Sequence, residues 1–233
     1  MIFLTDIARR VVGAAMGESR GDSQVIAHGV DHSRFNRAGR AMPPAAIDAQ
    51  DVVRLIYPSR LEPYKHQVEV IRAVAQLRTT FPRLTLDLCG PPNPAYRALV
   101  EDEMRKLDPQ HAWVRYLGEV PNAQLPELYE RAHVLIFASS CENLPNTLIE
   151  AMAFGIPTVS SRRPPMPEVA GDACLYVDPA DPDSIAQGIR EALTDWPSSL
   201  ERVDRGLARA AHHDWDLCAD QTFEYLRSHV ASQ

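Results

Sequence analysis

The sequence predicts an α/β fold, a doubly wound parallel sheet with a C-terminal helical tail, and three observations lead to this prediction. From residue 52 onward, short apolar runs alternate with segments of helical periodicity, which is typical of a parallel sheet covered by helices on both faces. After residue 195 only helical patterns remain. The chain has 233 residues and 45% hydrophobic content, which suffices for one substantial core.

Six apolar runs predict the strands of this sheet. In chain order they occupy residues 53–57, 84–89, 113–117, 133–138, 158–160 and 174–177. The run from Val134 to Phe137 is apolar throughout and is therefore expected to be buried on both faces.

Helical periodicity and capping residues predict the helices between the strands. Val70, Ile71, Val74 and Leu77 form the buried stripe of the first covering helix. Asp181 followed by Pro182 marks another helix start, since Asp caps and Pro fits the first turn. The remaining predicted helices cover 94–107, a short stretch around 125–129, 145–154, 167–169, 199–212 and 216–230.

The first 50 residues follow a different pattern. Residues 1–20 show helical spacing of Phe3, Ile7 and Val11, and no strand is expected before them. Residues 25–31 predict a short strand and a glycine turn, and residues 32–50 predict a loop. A segment that begins in mid-pattern is expected to be the end of a preceding unit.

Composition excludes several classes of function. The formal net charge is -7 and no basic tract is present, so binding to nucleic acid is not expected. No apolar run approaches the ~20 residues of a membrane span. Neither G-x-G-x-x-G after a strand nor a Walker A motif occurs, which disfavours a dinucleotide cofactor. The four cysteines are far apart in sequence and predict reduced packing thiols in a cytoplasmic protein, without disulfide or zinc site.

The most informative stretch, residues 141–155, follows the buried run at 134–137. Glu142 lies in the predicted loop and Glu150 in the predicted helix, where Pro145 fits the first turn and Gly155 the left-handed end. Ligands of open α/β sheets bind beyond the carboxyl ends of strands, and a helix start there favours phosphate. The two carboxylates then suit hydroxyl groups, although both could instead be ordinary solvated acids.

The Glu-x7-Glu spacing of Glu142 and Glu150, followed by Ala-Met-Ala-Phe-Gly-Ile-Pro, resembles the signature of retaining GT-B glycosyltransferases of family 4, also called group 1. The resemblance implies a Rossmann-like half of the GT-B fold, in which Glu142 contacts the donor sugar and Glu150 the ribose. Family members often carry Gly-Phe-Gly after the first Glu. This chain has different residues there, and they are included in the predicted donor site: Asn143, Leu144, Pro145, Asn146 and Thr147.

Two cations follow the first predicted strand. The segment from Arg60 to Lys65 resembles the family's Arg-Leu-x-x-x-Lys motif, which implies that both residues hold the donor diphosphate. Charge collects on this leaving group as the glycosyl bond breaks, and fixed cations stabilise it. Alone, an Arg and a Lys at this spacing are typical of two solvated surface charges, and only the resemblance favours a diphosphate site. Together with Glu142, these two cations are the predicted catalytic residues.

The loop after the third predicted strand completes the predicted donor site. Gly118 and Val120 resemble the family's main-chain cup for the nucleotide base, although an ordinary turn is an equal alternative. No dense Asp cluster suited to Mg²⁺ is evident, so metal-independent stabilisation without a cofactor is expected. Glu168 is expected to be a first-turn helix acid without a catalytic role.

The resulting hypothesis is the donor-binding half of a retaining glycosyltransferase, which binds a nucleotide-diphosphate sugar for hexosyl transfer. Residues 1–23 would be a remnant of the acceptor domain, 24–195 the donor domain and 196–233 the C-terminal helices. The acceptor would be held by an N-terminal half on the same or another chain. Because one wall of the cleft is missing, the isolated chain is expected to bind donor weakly and to transfer sugar poorly.

Two rival hypotheses remain from the sequence. The chain could be a non-catalytic nucleotide-sugar-binding or assembly module of the same fold. It could also be a sugar-nucleotide epimerase or a phosphorylase.

Overall fold

The computed structural model describes residues 1–15, 23–36 and 52–230, and it confirms the predicted α/β class. The strands are β1 Ile2–Phe3, β2 Gln24–Val25, β3 Val53–Pro58, β4 Leu84–Cys89, β5 Val114–Tyr116, β6 Val134–Phe137, β7 Thr158–Ser161 and β8 Leu175–Val177. The helices are α1 Asp6–Ala15, α2 Gln67–Leu77, α3 Pro94–Leu107, α4 Leu125–Arg131, α5 Asn146–Phe154, α6 Met166–Ala170, α7 Pro182–Thr194, α8 Trp196–Ala210 and α9 Trp215–Val230.

The main sheet has six parallel strands in the order β5-β4-β3-β6-β7-β8. From β3 the chain builds outward to β5, and it then returns to the other side of β3 and builds outward to β8. The order therefore reverses between the adjacent strands β3 and β6. In open α/β sheets this reversal leaves a crevice beyond the carboxyl ends of the two strands.

The core lies on both faces of this sheet, as the apolar runs predicted. All four residues of β6 are buried, and so are the four residues of the α2 stripe. Helix α5 ends at Gly155 with φ of 78°, the left-handed conformation expected there. Asp181 caps α7 by accepting a hydrogen bond from the Asp183 amide.

The C-terminal helices pack back onto this core. Gly206 of α8 lies against Met152 of α5, since a β carbon at Gly206 would meet Met152 Cγ at 3.3 Å. Helix α9 carries several exposed apolar side chains, and among them Phe223 is 64% exposed. None of the helices within the described ranges is long and apolar enough to cross a membrane.

Three predictions about local structure are wrong or lie outside the described residues. A strand does precede the first helix, because Ile2–Phe3 pairs in parallel with Gln24–Val25. Two residues are too short for a periodic signal, and Phe3 also fits a helical spacing. Pro145 lies at the N-cap of α5 rather than in its first turn. Most of the predicted loop, residues 37–50, is outside the described residues.

The contact between α7 and the sheet generates a stability prediction. A β carbon at Gly188 would lie 2.4 Å from Val177 Cγ1 and 3.1 Å from Val159 Cγ1. Gly188→Ala should therefore lower the free energy of unfolding by about 2 kcal/mol, despite the better helix propensity of alanine. Urea denaturation measures this change.

Gly13→Ala in α1 is the matched control, because nothing lies within 4 Å of a β carbon at Gly13. This variant should be neutral or more stable by up to about 1 kcal/mol. Equal effects of the two substitutions would contradict the close packing of α7.

Candidate functional site

The loops that follow β3 and β6 meet at the reversal of strand order. Lys65 and Glu142, which are 77 positions apart in sequence, form an ion pair between Nζ and Oε1. Their side chains are only 10% and 15% exposed. The structure thus brings one predicted cation and one predicted carboxylate into direct contact.

Aromatic residues that the sequence analysis did not single out surround Lys65. Its Nζ lies 5.5 Å from the ring centroid of Tyr64 and 5.1 Å from that of Phe137. The hydroxyl of Tyr57 donates a 2.7 Å hydrogen bond to the Lys65 carbonyl. Burial raises the pKa of Tyr57 well above its usual value, so this hydroxyl remains a donor. Electrostatic attraction to the ring faces helps to offset desolvation of the ammonium group.

Arg60 lies at the same edge of the sheet, but its side chain is far more exposed than that of Lys65. Its side chain is 61% exposed, and its Nη2 lies 3.8 Å from Glu62. Its main chain is fixed, because the buried amide of Gln67 donates a 2.7 Å hydrogen bond to the Arg60 carbonyl. Arg60 can therefore swing toward an anion without any change in the loop that carries it.

Arg60 also lines a cavity of about 150 Å³ at the strand ends, together with Val120, Leu125 and Thr147. This cavity places the start of α5 beside the loop that follows β5. The N–H groups of a helix start and an exposed guanidinium are both suited to phosphate.

Glycines allow the ends of β3, β4 and β5 to approach each other beside this cavity. The amide of Gly90 donates a 2.8 Å hydrogen bond to the Gly118 carbonyl. Gly90 has φ of 140°, and a β carbon there would lie 2.3 Å from the carbonyl oxygen of Ser59. Gly118 has φ of 73°. The predicted Gly118 and Val120 loop therefore lies at the same edge as Arg60.

Glu150 lines a second, polar cavity of about 370 Å³ that also borders the start of α5 at Asn146. Other lining residues include Asp31, Arg34 and Asn122. Burial raises the pKa of the Glu150 carboxyl to about 7, and the charge of Arg34 only partly opposes this shift. Glu150 is thus a partly buried acid at the edge of a cavity rather than a fully solvated one.

The loop between Glu142 and α5 is held from outside by a contact that sequence reasoning missed. The hydroxyl of Thr5 donates a 3.2 Å hydrogen bond to the Asn143 carbonyl. Leu144 is buried, and the Pro145 carbonyl accepts from the amide of Leu148 at 2.9 Å. Asn143, Leu144 and Pro145 therefore contribute main chain and apolar packing to the loop.

Two further sequence predictions concern Glu168 and the cysteines. Glu168 is a first-turn acid of α6 as predicted, and its carboxylate also accepts hydrogen bonds from the amides that begin α1. All four cysteines are free; Cys89 and Cys174 are buried, and burial raises each pKa to about 12. Cys141 is exposed, so its prediction as a packing thiol is wrong.

The described part of the chain contains no group of three or more His, Cys, Asp or Glu side chains placed to hold a metal ion. The predicted residues instead form one cationic region and two carboxylates around the start of α5. Such a set can bind an anion and hydroxyl groups at adjacent positions.

The fold and this arrangement define a Rossmann-like α/β domain of the kind found in GT-B glycosyltransferases. Comparison with known families agrees with this class. Residues 46–207 match the family described as Glycosyl transferases group 1, and the chain belongs to this family.

Curated relatives extend well beyond this chain. O-antigen chain mannosyltransferase B of Escherichia coli is 35% identical over 171 residues, which cover 72% of this chain and 44% of that protein. D-inositol 3-phosphate glycosyltransferase of Streptomyces avermitilis is 30% identical over 214 residues, 87% of this chain and 46% of that protein. The chain spans less than half the length of these two relatives.

Solved structures share the fold at low sequence identity. Anabaena HepE in complex with UDP and glucose superposes with a TM-score of 0.82 and 21% identity, over 97% of this chain and 62% of that chain. Sucrose-phosphate synthase of Thermosynechococcus elongatus has a TM-score of 0.84 and 22% identity, over 100% of this chain and 58% of that chain. These neighbours confirm the predicted fold, a Rossmann-like half of GT-B with a C-terminal helical tail.

The Lys65 and Glu142 ion pair generates a double-mutant prediction. Lys65→Met should destabilise the protein by about 3 kcal/mol, because it leaves the Glu142 carboxylate nearly buried without its cation. The double variant Lys65→Met/Glu142→Gln should recover much of this loss. Denaturant unfolding of both single variants and the double variant measures the coupling. Strictly additive losses would contradict the pairing.

Glu150 generates a prediction about pH. Because its pKa is raised to about 7, the native state keeps a proton that the unfolded state releases near its ordinary value. Stability should therefore fall as pH rises from about 4.5 to 7, and Glu150→Gln should remove that fall. The difference in free energy of unfolding between Glu150→Gln and wild type should therefore rise by about 2 kcal/mol from pH 5 to pH 8, in favour of the variant.

Thermal or urea unfolding at the two pH values tests this prediction. Glu127→Gln, at an exposed carboxyl group of α4, is the matched control and should follow wild type. A stability difference between Glu150→Gln and wild type that does not change with pH would contradict the prediction.

Proposed function

We propose that this chain is the donor-binding half of a retaining glycosyltransferase and binds a nucleotide-diphosphate sugar. The observation that carries the proposal is the contact between Lys65 and Glu142 beside the start of α5, at the reversal of strand order. In a nucleotide sugar, the outer phosphate is bonded directly to the sugar. Groups that bind the phosphate and the sugar must therefore be neighbours.

Arg60 and Lys65 are assigned to the diphosphate, together with Asn146 and Thr147 at the start of α5. Lys65 is held in place by Tyr57 and by the aromatic rings, whereas the exposed Arg60 moves to the ligand. Negative charge collects on the leaving diphosphate during transfer, and fixed donors stabilise it without reorganising water. We propose that these groups act without a metal ion and without a cofactor.

Glu142 is assigned to the donor sugar and completes the catalytic set with Arg60 and Lys65. When the diphosphate binds the Lys65 ammonium group, the Glu142 carboxylate loses its ion pair and accepts hydrogen bonds from the sugar hydroxyls instead. Asn143, Leu144 and Pro145 shape the loop that presents Glu142. Membership of the Glycosyl transferases group 1 family, and a HepE neighbour solved with UDP and glucose, support a nucleotide sugar as the ligand.

Glu150 is assigned to the ribose, and the loop at Gly118 and Val120 to the base. The cavity beside Val120 and Thr147 lies between the strand ends and α5, and Glu150 is one helical turn beyond Thr147. A carboxyl group with a pKa of about 7 suits uncharged hydroxyls better than phosphate. Main-chain contacts at Gly118 and Val120 hold the flat base.

The acceptor is assigned to a separate N-terminal half, on this or another chain. The chain spans less than half of the two curated relatives described above, and both α1 and α9 expose apolar side chains that such a half would cover. Residues 1–23 would then belong to the acceptor domain and 24–195 to the donor domain, with hexosyl transfer in the cleft between the halves. We place this reaction in the cytoplasm, in keeping with four free cysteines.

Protection of Cys141 from a maleimide reagent tests donor binding, because this exposed thiol adjoins Glu142. In a Cys218→Ser background, UDP-, GDP- and ADP-glucose are added separately. At least one should slow the labelling of Cys141, also in the presence of EDTA. Arg60→Ala should weaken that protection about tenfold or more, because charge-assisted phosphate contacts are strong.

Arg131→Ala, which removes an exposed arginine of α4, is the charge-matched control and should bind like wild type. If none of the three donors protects Cys141, the proposal is wrong. Unchanged protection in Arg60→Ala would refute the diphosphate role and favour a binding module that uses this edge differently.

A further inference from the structure

The N-terminal segment touches the sugar loop, residues 141–145, through one buried side chain. Thr5 is 1% exposed, and its Oγ1 accepts a 3.2 Å hydrogen bond from the Ala8 amide. The same hydroxyl donates to the Asn143 carbonyl at 3.2 Å. Thr5 therefore caps α1 and fixes the residue next to Glu142 at the same time.

Glu168 holds the same end of α1 from the opposite direction. Its two carboxylate oxygens accept hydrogen bonds from the amides of Asp6 at 2.5 Å and Ile7 at 3.0 Å. The first amides of a helix lack partners within it, so the carboxylate satisfies two of them and complements the helix dipole. This cap comes from a residue more than 160 positions away and is not a local capping box.

The backbone that carries Glu168 is itself restrained. Arg209 of α8 donates from Nε to the Val169 carbonyl at 3.1 Å and from Nη2 to the Glu168 carbonyl at 3.3 Å. A β carbon at Gly171 would lie 2.6 Å from Arg209 Cζ, so the guanidinium packs tightly against this turn. Glu168 is thus presented to α1 from a fixed support.

Besides the Lys65 ion pair to Glu142, main-chain hydrogen bonds hold both flanks of the sugar loop. The Ser140 amide donates to the Tyr64 carbonyl at 2.8 Å, and the Asn146 amide donates to the Leu144 carbonyl at 3.0 Å. Asn143 lies between these anchors. The hydrogen bond from Thr5 therefore restrains the middle of the loop, between Glu142 and the start of α5.

We propose that Thr5 and Glu168 are positioning residues that lock the start of α1 onto the sugar loop and so hold Glu142 for the donor. This proposal rests on the proposed function for the identity of the ligand. The coupling between α1 and the sugar loop rests on the observed contacts alone. Helix α1 becomes part of the support of the site.

Hydrogen exchange measured by mass spectrometry tests the coupling without any ligand. Thr5→Val keeps the shape of the side chain but loses both hydrogen bonds, whereas Thr5→Ser keeps the hydroxyl. Exchange in a peptide that covers residues 139–146 should be about fivefold faster in Thr5→Val, since a typical hydrogen bond is lost. Thr5→Ser should match wild type, and the peptide of α2 should be unchanged in all variants.

Glu168→Gln is the second variant, because it leaves the buried Thr5 in place. It should speed exchange at the start of α1 and, to a smaller extent, in the 139–146 peptide. The exposed Glu127→Gln serves as its control and should change neither. Unchanged exchange at 139–146 in both Thr5→Val and Glu168→Gln would overturn the proposal.

Ligand affinities then distinguish a positioning role of Thr5 at the sugar loop from a general loosening of the structure. Affinities are measured for UDP-glucose against UDP and for GDP-mannose against GDP. Thr5→Val should weaken binding of the nucleotide sugar about fivefold and change that of the nucleoside diphosphate less than twofold, since only the nucleotide sugar offers sugar hydroxyls to Glu142. Equal weakening of both ligands would overturn the positioning role. If wild type binds none of the four, the proposed function fails, while the exchange data still decide the coupling.

Discussion

An ion pair between Lys65 and Glu142 joins the two halves of the sheet where the strand order reverses. Each residue belongs to a loop that starts on a different central strand, so the pair fixes the two loops against each other. Both charges are largely removed from water, which is costly for either one alone. The aromatic rings of Tyr64 and Phe137 reduce that cost for the cation, and the arrangement of the surrounding groups follows from this contact.

Much of the fold was predictable because its signals are local. The bounds of β4 and α3 match their predicted ranges, and the left-handed end of α5 follows from Gly155. The N-terminal strand was not predictable, since Ile2–Phe3 is defined only by pairing with Gln24–Val25. A two-residue strand has no periodicity of its own, so its existence depends on tertiary contacts.

The charged residues of the candidate site were predictable from the sequence, but the hydrogen bonds that hold them in place were not. Arg60, Lys65, Glu142 and Glu150 stand out by their resemblance to motifs of the family, and the structure places them around the start of α5. Their roles toward a ligand stay predictions. The hydrogen bonds from Tyr57, Gln67 and Thr5 left no signal in the sequence, because each joins a side chain to a main-chain carbonyl whose position depends on the fold. Burial of Glu150 likewise arises from residues distant in the chain.

The mutual neutralisation of Lys65 and Glu142 has a consequence for selectivity. A free orthophosphate ion bound to the Lys65 ammonium group would leave the Glu142 carboxylate nearly buried and without a partner. Repulsion between the phosphate and the carboxylate would further disfavour this complex. A molecule that offers an anion and hydroxyl donors side by side compensates both partners at once. If the crevice binds as proposed, the same contact would therefore favour a larger, two-part ligand over a small anion alone.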